Sequence, residues 1–212
     1  MSIRDVDSFI RRYATPILKN AGYRRRGRRY MIDGPRGRQA IIHCDPQVDA
    51  DWTALELAYG VTTPAHRQFR ESRGIPDEPW PYANYALVHS RLFSPEFART
   101  GAPGPVLPAT WVLGDAEHTA QVGAAFAEGL EREVLPQIKA WFDPEVTVQT
   151  VAHPPSGVGV GIASGPRAEA IALLDVDDAG DRLQQTLDRL PLEDMVRVWV
   201  EDRLAKGLSS AE

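Results

Sequence analysis

The chain has 212 residues, 43% of them hydrophobic and 25% charged, with a formal net charge of −5. That composition is ordinary for a soluble globular protein and long enough to bury a sizeable core. It argues against indiscriminate nucleic-acid binding by the whole chain, and a single cysteine, Cys44, excludes an internal disulfide framework or a multi-cysteine zinc site.

The N-terminus, with acids and no apolar stretch, lacks the pattern of a signal peptide. No apolar run approaches the length of a membrane span, so cytoplasmic residence is the default expectation. Ser2 and Asp5 read as a capping box. Ile3, Val6, Phe9, Ile10, Tyr13, Ile17 and Leu18 recur at helical spacing, with Pro16 expected to kink the helix and Gly22 to follow its end. Tyr23–Ile32 and Arg38–Cys44 then flank a Gly/Pro-rich turn, which predicts a hairpin. Trp52–Val61 alternates as a third strand. Together these predict an antiparallel sheet with one apolar face, covered by the first helix.

Residues 62–108 hold eight of the seventeen prolines together with Trp80, Tyr82 and other aromatic residues. So many rings predict an ordered excursion packed on the sheet rather than a disordered linker. Thr110–Leu113 reads as a short strand and Ala116–Trp141 as a long helix bent at Pro136. Glu145–Val151 alternates like an edge strand. Residues 153–166 are rich in Gly, Pro and Ser and read as a connector, which divides the chain into an α+β part over 1–152 and a helical C-terminal extension over 167–212. Residues 207–212 are expected to fray. The predicted class is α+β: a small antiparallel sheet packed against an N-terminal helix and a long helix.

Charge is unevenly laid out. Eleven of the 24 basic residues but only three of the 29 acids fall in residues 1–40, a formal +8 that leaves −13 on the other 172 residues. Five of those bases form the run Arg24, Arg25, Arg26, Arg28 and Arg29, bracketed by Tyr23 and Tyr30. On a continuous strand Arg24, Arg26 and Arg28 project to one face, Arg25 and Arg29 to the other, unless Gly27 breaks the alternation with a bulge. Arginine's planar fork suits carboxylate or phosphate, and Tyr23 and Tyr30 are candidate stacking faces for bases. A solvated edge strand, blunted by charge, explains the same residues without a ligand.

Three segments resemble the bacterial family catalogued as domain of unknown function 4304. They are Leu18-Lys-Asn-Ala-Gly-Tyr-Arg-Arg-Arg-Gly-Arg-Arg-Tyr30, the alternating strand Leu55-Glu-Leu-Ala-Tyr-Gly-Val61, and Trp111-Val-Leu before the long helix. The resemblance covers roughly residues 3–142. It implies a compact α+β domain and carries no catalytic residue.

Other chemistries find less support. His43 and Cys44 point to opposite faces of a strand and cannot form a dyad, whereas His43 and Asp45 share a face and suit an oriented imidazole. Cys44 reads as a small buried hydrophobe. Asp175–Asp181 begins like a calcium loop but has Ala179 and Thr186 where ligands belong, so helix capping explains its aspartates better. Gly157–Ser164 misses the third glycine of a dinucleotide fingerprint. The histidines are scattered, and neither a metal nor a cofactor is expected. Trp80 and Tyr82 are candidate partner-contact anchors, or else they close the core from one side. The expected function is a non-catalytic binding module whose basic hairpin meets an acidic partner, which can be another protein or another copy of this chain. The alternatives are an enzyme with a spatially assembled site and a nucleic-acid binder using the hairpin.

Overall fold

The structure is a computed structural model that describes residues 2–48, 52–102, 104, 106–162 and 165–209. Its centre is an antiparallel sheet of seven strands: β1 Arg24–Arg26, β2 Arg29–Asp33, β3 Gln39–Val48, β4 Thr53–Thr62, β5 Val88–Arg91, β6 Thr110–Leu113 and β7 Val158–Val160. The order is β1-β2-β3-β4-β5-β7, and β6 shares the edge of β4 with β5. The class is α+β. Strand β4 is buried along its whole length, because it is paired on both edges and covered on both faces. Leu55, Leu57, Tyr59 and Val61 enter the main core. Ala58 faces a smaller cluster with Met31, Ile41 and Ala83.

The main core lies under two long helical segments. The first runs as α1 Ile3–Phe9, a π-helical turn Ile10–Ala14, and α2 Thr15–Asn20. Asp5 Oδ2 accepts from the Ser2 backbone N–H at 2.5 Å, as the capping pattern predicts. Gly22, at φ 87°, ends the segment. Tyr23 N–H reaches the Leu18 carbonyl and Gly22 N–H that of Lys19, the paired bonds of a Schellman motif. The second segment runs as α4 Ala116–Gly129, a π-helical turn Leu130–Val134, and α5 Leu135–Trp141. Both π turns stop two residues before a proline, Pro16 and Pro136. A proline lacks the N–H and crowds the carbonyl four residues back, and widening the turn relieves both conflicts. Phe126 bridges the layers, with its ring 5.3 Å from Phe9 and 5.1 Å from Trp111. Tyr59 stacks on Trp141 at 5.7 Å.

The described residues of the excursion pack on the sheet. The excursion contains α3 Pro64–Ser72 and a short 3-10 turn, Ala83–Tyr85, and Trp80 packs on the Met31/Ile41/Ala58/Ala83 cluster behind the sheet.

Two sequence expectations change. Residues 145–151 are not an edge strand but part of helix α6, Pro144–Ala152. Asp143 caps it by accepting from the N–H groups of Glu145 and Val146, and Pro144 supplies a ready-made first turn. Thr147, Val148 and Val151 are its buried face, so packing overrides their β-branched preference. The connector over 153–166 is also more than a link, because its residues Val158–Val160 pair with β5. Beyond it, α7 Pro166–Leu173, α8 Gly180–Asp188 and α9 Met195–Ser209 contribute Ile171, Leu183, Leu187, Val196 and Val200 to the main core cluster. Residues 210–212 of the expected frayed end lie outside the described residues. Among the described residues no helix is long and apolar enough to cross a membrane.

Candidate functional site

The basic run folds as a tight hairpin of its own. Arg26 pairs with Arg29, leaving Gly27 and Arg28 as a two-residue turn. Gly27 sits at φ 62° and Arg28 does not, the pattern of a type II′ turn that only glycine adopts without strain. This turn keeps Arg24 and Arg26 opposite Arg25, as expected, but moves Arg29 to the other face. Arg24, Arg26 and Arg29 now lie on one side of the sheet with His43, while Arg25 shares the other side with Tyr30 and Ile42. Arg28 belongs to the turn itself.

At this end of the sheet the hairpin, α1, the end of β3 and the loop 78–82 enclose a cleft of about 1090 Å³. Six arginines line it: Arg4 and Arg11 from α1, and Arg25, Arg26, Arg28 and Arg29 from the hairpin. Three carboxylates, Asp7, Asp45 and Glu78, also line it, so its formal charge is +3. The structure therefore brings together Arg25, Arg26, Arg28, Arg29, Trp80 and Tyr82 of the sequence candidates. Arg24 lies outside and pairs with Asp33 at 2.7 Å. Tyr23 and Tyr30 are core residues, 6% and 0% exposed, so neither offers a stacking face. Burial raises the phenol pKa of both.

The cleft arginines divide by partner. Arg28 binds Asp7 through both branches of its fork, Nε to Oδ1 at 2.7 Å and Nη2 to Oδ2 at 3.2 Å. That hydrogen-bonded pair holds the Asp7 carboxyl below the usual carboxylate range, with Arg11 and Arg25 adding to it. Arg25 donates to the Gly27 carbonyl and to Thr15 Oγ1. Arg11 donates to the Asp7 carbonyl and Ser8 Oγ. Arg29 donates to the Trp80 carbonyl and lies 3.6 Å over the Tyr82 ring. The side chains of Arg4 and Arg26 have no hydrogen-bond or ion-pair partner among the described residues. Arg28 is thus the one cleft arginine with a carboxylate within ion-pair distance there; the other five have none, and the cleft keeps its net positive charge.

His43 and Asp45 form the floor. The two residues share a face of β3, as alternation predicts, and His43 Nε2 lies 2.7 Å from Asp45 Oδ2. The Ala83 N–H points at His43 Nδ1 from 3.1 Å. Nδ1 is therefore the acceptor, and the ring proton sits on Nε2, donated to Asp45. Both ring nitrogens are occupied, which leaves His43 no lone pair for a substrate or metal. The His43 hydrogen bond holds Asp45 below the usual carboxylate range against the opposing effect of burial. Cys44 faces the main core, and burial pushes its thiol up to about 12.

The remaining candidates disperse. Asp175 Oδ1 accepts from the Ala65 N–H, and Asp177 pairs with Arg36 at 2.7 Å, so these aspartates serve different partners. The glycine-rich stretch forms β7 over Val158–Val160; its residues 163 and 164 lie outside the described residues. Sequence reasoning did not single out Arg4, Asp7, Ser8 and Arg11. Arg4, Ser8 and Arg11 share a helix stripe at spacings of four and three, a usable signal, but nothing local shows that the stripe meets the hairpin turn. No protein-family model matches this chain, and no characterised protein or solved structure was found to be similar to it.

Proposed function

We propose that this protein is a non-catalytic binding module that receives an acidic segment of a protein partner in the arginine cleft. The carrying observation is that five of the six cleft arginines lack a carboxylate partner among the described residues. Uncompensated guanidinium groups beside an open cleft favour a carboxylate-rich ligand, which each planar fork can hold through two hydrogen bonds. The volume of about 1090 Å³ suits an extended segment better than a small ligand. Tyr23 and Tyr30 are buried, and Tyr82 is taken up by Arg29 on its face and His43 at 5.3 Å. That favours a peptide over stacked bases. Of the groups with large shifts, Tyr23 and His66, the latter brought down to about 3, are buried away from the cleft, and Cys44, which borders it, is only 1% exposed with its thiol pushed up to about 12. Their location favours binding over catalysis.

The proposal includes cytoplasmic residence. It also includes kinship with domain of unknown function 4304, supported by the order of helix, basic hairpin, alternating strand and Trp-containing strand.

The test is fluorescence anisotropy with a labelled peptide of alternating Asp and Glu and, in parallel, a single-stranded DNA of equal charge, each at low and physiological salt. The expected result is saturable peptide binding that weakens with salt. Preferential retention of the DNA, with a steep salt slope, would replace this reading by the nucleic-acid one.

A further inference from the structure

Asp45 is out of place in a cleft that attracts anions. Asp7 is engaged by Arg28, but Asp45 has no arginine within ion-pair distance among the described residues. The one hydrogen bond its side chain makes there is the one that His43 donates to Oδ2. Its side chain is 53% exposed and lines the cleft, so the rest of its acceptor capacity is open.

The support behind it is rigid. The His43 side chain is 2% exposed and is fixed by the Ala83 N–H on one nitrogen and Asp45 on the other. The Tyr82 ring stands at 87° to it, and Arg29 lies over the same Tyr82. A carboxylate held this way repels a ligand that carries only negative charge at that point. It rewards a hydrogen-bond donor there, because a bond to a charged acceptor is stronger than one between neutral groups.

Resting on the acidic-segment reading, we propose that Asp45 is the specificity-determining residue of the cleft and selects a segment with a hydroxyl donor among its acidic residues. The shared requirement is an O–H or N–H donor. A serine or threonine hydroxyl meets it without bringing a cation among the cleft arginines, none of which but Arg28 has a carboxylate within ion-pair distance among the described residues, whereas a lysine ammonium does not.

The experiment compares three labelled peptides by anisotropy: Asp-Glu-Ser-Glu-Asp and the same peptide with Ala or Lys at the centre. Each is titrated into the wild type, Asp45→Ala and Asp45→Asn. The serine peptide should bind the wild type about tenfold more tightly than the alanine peptide. Asp45→Ala should erase that preference and tighten the alanine peptide by relieving repulsion. In Asp45→Asn the side-chain amide oxygen can still accept from His43, which turns the NH₂ toward the ligand; only a neutral bond from that NH₂ to the serine oxygen is then left, so the preference should fall without loss of packing. Equal wild-type affinity for the serine and alanine peptides, or a preference that survives both substitutions, overturns the role of Asp45 while leaving the acidic-segment reading intact. Tightest binding of the lysine peptide overturns the hydroxyl assignment. Failure of all three peptides to bind the wild type overturns both proposals.

Discussion

Arg28 grips Asp7 with both branches of its guanidinium, at 2.7 and 3.2 Å, and so fastens the turn of the basic hairpin to the first helix. The two residues are 21 positions apart, and their contact forms one wall of the cleft. One of the six cleft arginines is neutralised there. The remaining arginines on either side, Arg4 and Arg26, are left facing solvent.

Asp7→Asn should destabilise the protein by no more than about 1 kcal/mol, because the pair is partly exposed and screened by water. The pH dependence has a definite sign. The folded state holds Asp7 below its unfolded value of about 3.9, so the contribution is present above that value and is lost as pH falls through the lowered folded one. Urea denaturation of wild type and Asp7→Asn at neutral pH and near pH 3 checks this: the difference between them should shrink in acid.

Asp194 is a buried counterpart. Its side chain is 1% exposed, Arg167 Nε and Nη2 both lie 2.7 Å from Oδ2, and Oδ1 accepts from Val196 N–H at the start of α9. Burial alone would raise its pKa, but these hydrogen bonds outweigh it and leave the carboxyl lowered. Asp194→Ala removes a helix cap and leaves Arg167 without its partner. The expected cost is about 2 kcal/mol, read as a lower urea midpoint at neutral pH.

Cys44 is 1% exposed and its thiol is pushed up to about 12. Ellman's reagent should therefore leave the folded protein unmodified at neutral pH and label one thiol per chain in denaturant. Rapid labelling of the native protein would mean that Cys44 does not sit in the core.

Gly60 lies in the fully buried strand β4. A Cβ there would sit 2.6 Å from the Val88 carbonyl oxygen and 2.7 Å from Ala86 Cβ. Backbone cannot yield as a side chain does, so Gly60→Ala should cost about 2 kcal/mol or more in thermal or urea unfolding.

The strands β3, β4 and β6 were legible because alternation and turn residues are local signals. The long helices were legible from apolar spacing, and each of the two prolines expected to disturb them follows a π-helical turn. Residues 145–151 misled because Val146, Val148 and Val151 carry β-branched side chains, while the cap at Asp143 and the burial of Thr147 decide for helix. The hairpin half of the cleft was visible as a basic run, although the turn at Gly27 and Arg28 reassigns its faces. The other half was not visible. Arg4 and Arg11 reach the cleft through the docking of α1, and Trp80 and Tyr82 through a loop that crosses behind the sheet. The partner of His43 Nδ1, Ala83 N–H, is 40 residues away and leaves no trace in local sequence.

The central claim is that uncompensated arginine charge in the cleft, rather than the basic run as such, binds an acidic segment. Charge reversal tests it by position. Arg4→Glu/Arg26→Glu alters two cleft arginines without partners among the described residues, while Arg24→Glu alters an arginine outside the cleft that pairs with Asp33. With a labelled Asp/Glu peptide at low salt, the double variant should bind at least about tenfold more weakly than the wild type, and Arg24→Glu about as well as the wild type. Equal losses in the two variants would mean that net charge alone drives binding, and undiminished affinity in the double variant would contradict the account.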